Sequence, residues 1–403
     1  MNGPLSGIRV IAIENYLAGP VASMTMGDLG AEVIKIEPED GDLSRLTVGP
    51  NHKGESNHFL SWNRNKKSVV LDIRTPSGKK ALYDLVKVSD VVLNNFRPGA
   101  MERIGADHET LAEINPGIIS VNLTGMGPTG PSRDLPVVDS VAAGLSGLLS
   151  VTGEPDGRPI RPGPAVCDIT CALYGVIATI SALYQREKTG TGQNIDVPLL
   201  AAGIALMGYH ISYYTCSGEV PKPMGSGYPF TAPFGAYKTR DNWIVLGPCW
   251  PRIARAIGAD WLTEDERFSE AENRLKNRVE LDKEIEKCFL TMNTEEWLTI
   301  LRMEDIICGP LYSVDQTVTD PQVNHLNMIL NMEHPLGGEI RLAGNPVKMP
   351  SLEGENGPPP TLGQHTDDVL SGILGYSEDD IRELKKEQAA HAGETRKHVR
   401  KER

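Results

Sequence analysis

Residues 8–37 read IRVIAIENYLAGPVASMTMGDLGAEVIKIE and contain the pattern strand, helix, strand. The run 8–13 is short and mostly apolar, which is typical of a strand buried in a parallel sheet. Pro20 is acceptable in the first turn of a helix that we expect to continue over residues 21–29. Residues 32–37 form the next strand. This order within about thirty residues predicts a right-handed crossover between parallel strands.

The same alternation continues as far as residue 198. Apolar runs predict further strands at residues 68–72, 91–93, 118–123 and 195–198. Periodic segments between and after them predict helices at residues 75–86, 110–114, 137–149, 169–185 and 199–214. Strands alternating with helices indicate an α/β protein whose large domain is Rossmann-like and contains a parallel sheet.

Beyond residue 215 the composition changes. Residues 218–233 are rich in glycine and proline, as in a linker or lid, and two strands around a polar turn follow within 234–246. We therefore assign residues 1–215 to the first part of the large domain. Residues 216–330 form a linker and a smaller α+β domain. Residues 331–403 form a second linker and a return to the large domain, ending in a solvated helix and a frayed tail.

Composition excludes several classes of protein. The net charge of −13 argues against nucleic acid as a partner, because such binders usually carry a basic face. No signal-peptide pattern and no apolar run as long as a membrane span is present, so we expect a cytoplasmic protein without a membrane partner. The six cysteines are scattered, and no Cys-x-x-Cys pair occurs among them, which predicts reduced thiols. The nine histidines are dispersed as well, so we expect no metal site.

Neither NAD nor ATP is favoured as a cofactor. A dinucleotide fold places several glycines where its first strand meets the helix. Here that turn holds only Gly19, followed by Pro20, and neither a Gly-x-Gly-x-x-Gly pattern nor a Walker loop occurs.

Asp168 stands in front of a long apolar helical segment. One interpretation is structural, since an aspartate there can accept hydrogen bonds from the free N–H groups of the first turn and cap the helix. The other is chemical, since a helix N-terminus keeps a carboxylate ionised and ready to attack an acyl carbon. The segment alone leaves both interpretations open.

A series of short motifs resembles the family III CoA-transferases, which include formyl-CoA transferase and carnitine CoA-transferase. The likeness runs in order along nearly the whole chain. Its pieces are LSGIRV (5–10), AGP (18–20), DLGAEVIKIEP (28–38), NRNKKS (63–68), LDIR (71–74), NFRPG (95–99), RIG (103–105), SG (146–147), TGEP (152–155), Asp168, REKTGTGQ (186–193), CGP (308–310) and GQHTD (363–367).

The resemblance implies a CoA-transferase that moves CoA from an acyl-CoA thioester to a carboxylic acid. It implies Asp168 as the covalent nucleophile, with Asp139 where the family has a supporting glutamate. Coenzyme A would be a substrate, with no tightly bound cofactor. The family fold also implies an interlocked homodimer. The implied CoA-contacting residues are Leu17, Ala18, Leu71, Arg74, Asn95, Phe96 and Arg103.

The chain also departs from formyl-CoA transferase at several positions. Leu17 replaces a glutamine, and Pro38 replaces an arginine beside the adenine, so the adenine must be held differently. The active-site glycines of that enzyme have no clear counterpart, although Gly225 and Gly227 could serve. With Val48, these glycines are the expected lining of the substrate pocket. Leu17 favours a substrate less polar than oxalate.

Two other functions remain open at this stage. An α-methylacyl-CoA racemase of the same family would carry a His–Asp pair of bases, and residues 135–139 contain no histidine. A catalytically silent CoA-binding subunit would lack the aspartate, which is present here as Asp168. The sequence does not specify the donor and acceptor acids.

Overall fold

The computed structural model describes residues 3–352, 354 and 356–401, with the backbone alone for residues 392–401. Two compact units are present. The first contains the chain up to Ser146, Gly163–Gly208 and the chain from His325 onward, and the second contains Gly147–Pro162 and Tyr209–Asn324. The segment Gly147–Pro162 thus joins the second unit, to which the sequence did not assign it. The proposed boundaries at residues 216 and 331 stay predictions as limits of independent domains.

The strands follow one another along the chain as β1 (Arg9–Ile13), β2 (Glu32–Glu37), β3 (Asn51–His52), β4 (Glu55–Ser56), β5 (Lys66–Val70), β6 (Val91–Asn94), β7 (Ile119–Thr124), β8 (Asn194–Pro198), β9 (Gly235–Lys238), β10 (Trp243–Leu246), β11 (Cys308–Pro310), β12 (Ile329–His334) and β13 (Gly338–Ala343).

The α-helices are α1 (Ala18–Asp28), α2 (Asn57–Trp62), α3 (Pro76–Lys87), α4 (Ala100–Ile104), α5 (His108–Ile114), α6 (Asp139–Leu145), α7 (Val166–Thr189), α8 (Leu199–Leu206), α9 (Gly208–Ser217), α10 (Arg252–Ala256), α11 (Ala271–Lys276), α12 (Arg278–Phe289), α13 (Thr294–Met303), α14 (Val314–Thr319), α15 (Pro321–His325), α16 (Thr366–Gly372) and α17 (Glu378–Lys401). Short 3-10 turns cover Leu43–Leu46, Leu148–Ser150, Asp260–Thr263 and Pro350–Leu352.

The first unit is built on a six-stranded sheet in the order β5-β2-β1-β6-β7-β8. Every neighbouring pair in this sheet is parallel. The predicted α/β, Rossmann-like class is therefore confirmed. The chain winds outward in one direction from β1 and in the other from β6. Such a reversal opens a crevice at the carboxyl ends of the two central strands, where this class of sheet binds ligands.

The C-terminal part of the chain returns to the first unit. Leu370 of α16 and Leu384 of α17 are buried in one apolar core together with Leu82 and Leu85 of α3 and with Val69 of β5. Thr75 caps α3 by accepting a hydrogen bond from the Gly78 N–H group, 3.1 Å away. The last helices therefore pack beside the strand that ends at Val70.

The second unit contains the antiparallel sheet β11-β10-β9. Its core is a separate apolar cluster in which Phe268, Phe289 and Trp297 are buried. The Trp297 indole N–H donates to the Phe289 carbonyl at 2.8 Å, so this buried polar group is satisfied.

Several element bounds differ from those expected. Strand β5 lies two residues earlier, at Lys66–Val70, and its register with β2 ends at the pair Glu37 and Val70. The Leu71 N–H group still donates to the Glu37 carbonyl at 2.9 Å, and the strand ends there. The helix expected at 199–214 is divided into α8 and α9. The interruption falls at Met207, just before Gly208, and glycine is a poor helix former.

Helix α7 is long and apolar enough that length and composition alone would allow it to cross a membrane. This differs from the expectation that no apolar run reaches that length. However, 44% of its apolar window is buried inside the protein, and the helix packs on α1, α8 and β7. Because a core helix passes the same test, these two properties are weak support for a membrane segment.

A buried ion-pair network lies beneath the crevice. The Lys35 ammonium, in the middle of β2, is fully buried and lies 2.7 Å from Asp42 Oδ2 and 3.4 Å from Glu14 Oε1. Lys66 Nζ lies 2.8 Å from the same Glu14 oxygen. Burial alone would lower the pKa of Lys35, but the charges of Glu14, Asp42 and Glu37 outweigh it and raise the pKa. The network therefore stays charged and joins the segments that follow β1 and β2.

The decrease in the free energy of unfolding at acid pH tests this network. Burial would raise the pKa of Asp42, but the Lys35 ammonium and hydrogen bonds from the Ser44 and Tyr16 N–H groups lower it from 3.8 to about 2. A lowered carboxyl pKa stabilises the fold above pH 3.8, and this stabilisation is lost as the pH falls towards 2. Asp42 should contribute about 2 kcal/mol.

We therefore expect Asp42→Asn to lower the free energy of unfolding at pH 7 and to flatten its decline between pH 4 and pH 2. Urea unfolding at several pH values measures both effects. Asp134→Asn, which removes a highly exposed carboxylate, is the matched control and should keep the wild-type slope. An unchanged slope in Asp42→Asn would show that Asp42 is not held by Lys35 in solution.

Candidate active site

The N-terminus of α7 lies at the carboxyl edge of the parallel sheet. Near the C-terminal end of α7, the Arg186 side chain donates a hydrogen bond to the Gly117 carbonyl at 3.0 Å. Gly117 lies just before β7 begins. One turn after the helix begins, the Cys171 thiol donates to the Val197 carbonyl near the end of β8, at 3.1 Å. Asp168 precedes Cys171 by one turn. It therefore lies beyond the carboxyl ends of the strands, where the crevice opens.

Asp168 occupies the first turn of α7 but is not the residue that caps it. The helix begins at Val166, and Ala165 is in the capping position with no side-chain hydrogen bond. The prediction that Asp168 caps the helix is therefore wrong, because Ala165 holds the capping position. A half-buried carboxylate within the first turn still interacts favourably with the positive end of the helix dipole.

Asp139 supplies the hydrogen bonds that a cap would provide. Its Oδ1 atom accepts from the Cys167 N–H group at 2.9 Å and from the Asp168 N–H group at 3.3 Å. Asp139 is buried and is the first residue of α6, where Val138 holds the capping position. The structure thus places Asp139 in contact with the candidate nucleophile's main chain. Asp139 thereby fixes the peptide that carries Asp168.

Two thiols lie close to Asp168 and are protonated at neutral pH. Burial, followed by the charges of Asp139 and Asp168, raises the pKa of the Cys167 thiol to about 11. Burial likewise raises the pKa of Cys171. Because a thiol attacks only as its thiolate, neither cysteine competes with the carboxylate as a nucleophile.

Four of the expected CoA-contacting residues line one cleft of about 400 Å³ in the first unit. They are Leu71, Arg74, Phe96 and Arg103. The cleft also contains Pro38 and the residues that follow β1 and β6, which places it at the crevice between the two central strands. The structure thus brings together residues from distant stretches of the chain, from Ile13 to Ile104, around one ligand-sized space.

The two arginines of this cleft differ in their contacts. Arg74 makes a two-point pair with Asp72, with Nε and Nη2 at 2.8 and 2.9 Å from its oxygens. This hydrogen-bonded pair raises the pKa of Arg74. Arg103 makes no side-chain hydrogen bond or ion pair with the described residues, and one of its Nη atoms borders Gly99. Its charge is therefore available to an anion.

Asn95 has a structural contact that the sequence did not predict. Its Oδ1 accepts from the Asn15 N–H group at 2.9 Å, and its Nδ2 donates to the Asn15 carbonyl at 2.7 Å. The amide joins the segments after β1 and β6, and its contact with CoA stays a prediction. Leu17 and Ala18 begin α1 and are buried. Because α1 follows β1, these residues lie at the same edge of the sheet as Asp168.

The residues expected to line the substrate pocket lie in both units. Val48 is fully exposed in the first unit. In the second unit, the Gly225 N–H group donates to the Gly153 carbonyl at 2.8 Å. A side chain at Gly227 would contact Arg278. Both glycines hold a compact turn, and the role of all three residues in substrate binding stays a prediction.

Sequence reasoning missed Glu14, Lys35 and Asp72. Two of them carried a signal, because Glu14 follows an apolar strand directly and Lys35 interrupts one. Asp72 carried none until the fold placed it against Arg74. No cluster of three or more metal-ligating side chains occurs among the residues that the structure describes.

Removing the Asp139 carboxylate should loosen the first turn of α7. We expect Asp139→Ala to destabilise the protein by about 1 kcal/mol, since it loses a capping acceptor. Asp139→Asn keeps an acceptor oxygen and should recover most of that loss. Denaturant midpoints of the two variants measure the difference. Equal midpoints for alanine and asparagine would contradict the hydrogen bonds described above.

Comparison with known proteins finds relatives over nearly the whole chain. Residues 5–366 match the family model described as CoA-transferase family III. Human succinyl-CoA:glutarate CoA-transferase is 36% identical, covering 94% of this chain and 88% of its own length. Formyl-CoA:oxalate CoA-transferase of Rhodopseudomonas palustris is 30% identical, with coverages of 95% and 96%.

The fold also has solved relatives. A CAIB/BAIF family protein from Brucella suis superposes with a TM-score of 0.83 at 31% sequence identity, covering 93% of this chain and 100% of that one. The family model matches most of the chain, and the relatives share at least 30% of their residues with it. The protein therefore belongs to CoA-transferase family III.

Proposed function

We propose that this protein transfers CoA from an acyl-CoA to a carboxylic acid through a covalent intermediate on Asp168. The observation that carries the proposal is the pair of hydrogen bonds from the Cys167 and Asp168 N–H groups to Asp139. They hold the main chain that carries the Asp168 carboxylate at the carboxyl edge of the sheet. Relatives are named for succinyl-CoA with glutarate, D-citramalate or mesaconate, which supports succinyl-CoA and glutarate as the first pair to test.

The first half of the reaction transfers CoA to the enzyme. An Asp168 oxygen attacks the thioester carbonyl carbon, and the carbon–sulfur bond breaks to leave a mixed anhydride and the CoA thiolate. The thiolate then attacks the Asp168 side-chain carbonyl carbon. The donor acid leaves as its carboxylate, and CoA is bound to Asp168 as a thioester.

The second half mirrors the first. The acceptor carboxylate attacks the Asp168 thioester carbon and expels the CoA thiolate, forming a second mixed anhydride. The thiolate then attacks the acceptor's acyl carbon, which yields the new acyl-CoA and restores the Asp168 carboxylate. No proton is consumed and no ATP is needed, because each thioester bond broken is replaced by one formed.

The tetrahedral intermediates require hydrogen-bond donors. The N–H groups of Ala18 and Gly19 begin α1 and make no hydrogen bond within the described part of the chain. A side chain at Gly19 would come within 2.7 Å of the Glu14 Cβ atom, so only glycine fits. These N–H groups support the assignment of an oxyanion site at this helix terminus.

The two alternative functions have less support. A racemase of this family needs a His–Asp pair of bases, and the segment before Asp139 holds no histidine. Asp139 Oδ1 also accepts from two main-chain N–H groups, which supports a positioning role for this residue. A silent subunit would not need Asp168 at all.

We also propose that the protein acts as a cytoplasmic homodimer. The outer side of α7 carries exposed apolar side chains, and such patches commonly mark contacts between chains. They are Leu173, Tyr174, Ile177, Ile180 and Tyr184, and each is at least 40% exposed.

Replacing the nucleophile tests the proposal directly. We expect Asp168→Ala to lower kcat by on the order of 10³-fold or more while CoA still binds, because the carboxylate takes part in every covalent step. Incubation of the wild type with succinyl-CoA, followed by hydroxylamine and mass spectrometry, should place the modification on Asp168. An adduct on another residue, or full activity in the variant, would refute the mechanism.

A second prediction concerns the cleft of about 400 Å³ that Arg103 lines. Arg103→Gln should raise KM for the acyl-CoA by about tenfold and leave KM for the acceptor acid unchanged, because a charge-assisted hydrogen bond to phosphate is lost. Steady-state kinetics with each substrate varied in turn measures this. Arg341→Gln, at an exposed position on β13, is the control. A rise in the KM of both substrates would remove Arg103 from the CoA site.

A further inference from the structure

Lys66, the first residue of β5, carries a buried ammonium that takes no part in the covalent steps. Its side chain is fully buried. Burial lowers its pKa from 10.5 to about 8, although the charge of Glu14 opposes this shift, so the side chain is positively charged at neutral pH. Because a buried ammonium is strongly unfavourable without partners, its three N–H groups need acceptors inside the protein.

The acceptors of Lys66 connect β5 to the start of α1. The ammonium donates to the Pro20 carbonyl at 3.0 Å, to Glu14 Oε1 at 2.8 Å and to Asn63 Oδ1 at 2.8 Å. Pro20 is the third residue of α1, so the first of these hydrogen bonds reaches the opening turn of that helix. Lys66 thus fixes the opening turn to the sheet.

The Glu14 carboxylate gives the same turn a second support. A Cβ atom at Gly19 would lie 2.7 Å from Glu14 Cβ and 3.1 Å from Glu14 Oε2, so this side chain lies directly against the glycine. One turn further along α1, the Ser23 hydroxyl donates to Glu14 Oε1 at 2.8 Å. Lys66 therefore holds the opening turn both through the Pro20 carbonyl and through Glu14.

The position of this turn bears on the rate of the reaction. Helix α1 packs on α7, and both helices begin at the carboxyl edge of the sheet. The N–H groups of Ala18 and Gly19 thus lie at the same edge as Asp168. Donors to an oxyanion stabilise it only when they are held in place, and a misplacement of about 1 Å costs on the order of 10²-fold in rate.

We propose that Lys66 is a positioning residue for the oxyanion site at the start of α1. The inference rests on the proposed function for the role of the Ala18 and Gly19 N–H groups. Lys66 touches no reacting atom, because its three N–H groups are used within the fold. It acts on the rate by fixing the opening turn of the helix.

A second buried cation supplies a matched control on the same helix. Arg64 lies two residues before Lys66, and its Nε atom donates at 2.9 Å to Asp28, the last residue of α1. Both cations are buried, but they contact opposite ends of the helix. Loss of either cation should destabilise the protein, whereas only loss of Lys66 should disturb the oxyanion site.

Steady-state kinetics with succinyl-CoA and glutarate tests the inference, at a temperature where circular dichroism shows each variant folded. Lys66→Met should lower kcat by about ten- to a hundredfold and change KM for succinyl-CoA by less than about twofold, because the oxyanion forms only in the transition state. Lys66→Gln keeps a donor for the Pro20 carbonyl and should recover part of that loss. Arg64→Met should keep kcat within about twofold of the wild type.

Equal losses of kcat in the Lys66 and Arg64 variants would overturn the inference. So would a loss in Lys66→Met that appears only as a higher KM for succinyl-CoA. Lys66→Gln, the milder change, provides the comparison with Arg64→Met if Lys66→Met does not fold.

Hydrogen–deuterium exchange separates this inference from the proposed function, because it needs no turnover. The Lys66 variants should speed exchange in a peptide covering residues 14–22, and Arg64→Met should speed it near residue 28 instead. This pattern supports the hold of Lys66 on the opening turn even if the wild type transfers no CoA. Unchanged exchange at residues 14–22 in the Lys66 variants would overturn it, even if Asp168 forms the covalent adduct.

Discussion

The buried ammonium of Lys35 is the interaction on which the ligand-binding part of the molecule depends. It stands in the middle of β2 and is neutralised by Glu14 and Asp42, which belong to the segments after β1 and β2. Because a buried charge without its partner is strongly unfavourable, these two segments cannot separate. They carry Asn15 and Pro38, which line the cleft that contains Arg74 and Arg103. The buried ion pairs of Lys35 thus fix the positions of residues at the base of the site.

Chemistry at the site depends on a helix terminus of a particular kind. Asp168 lies in the first turn of α7, while Asp139 from another helix occupies the main-chain N–H groups that a local cap would take. Asp139 thereby fixes the peptide that carries Asp168. The neighbouring thiols, whose pKa values burial raises, stay protonated and do not compete.

Local patterns anticipated much of the fold and of the candidate site. The second strand was predicted at its observed limits, and the α/β class followed from alternation, because periodicity and burial are coupled within each element. Other bounds differ from the expected ones. Strand β5 lies earlier than expected, α8 and α9 are separate, and residues 147–162 join the second unit. Gly208 was a local signal for the break between the two helices, whereas nothing local to β5 or to residues 147–162 reports what packs against them.

The sequence by itself determined the class of the fold, the family through its ordered motifs, and Asp168 as the candidate nucleophile. These features reside in residue types and short spacings, which need no knowledge of distant contacts. Only the tertiary structure decided that Asp139 holds the Asp168 peptide, that Asn95 ties two segments together, and that the C-terminal helix walls a cleft beside Arg74. Each of these joins residues far apart in the chain, and such pairings arise only when the sheet and its helices bring them together.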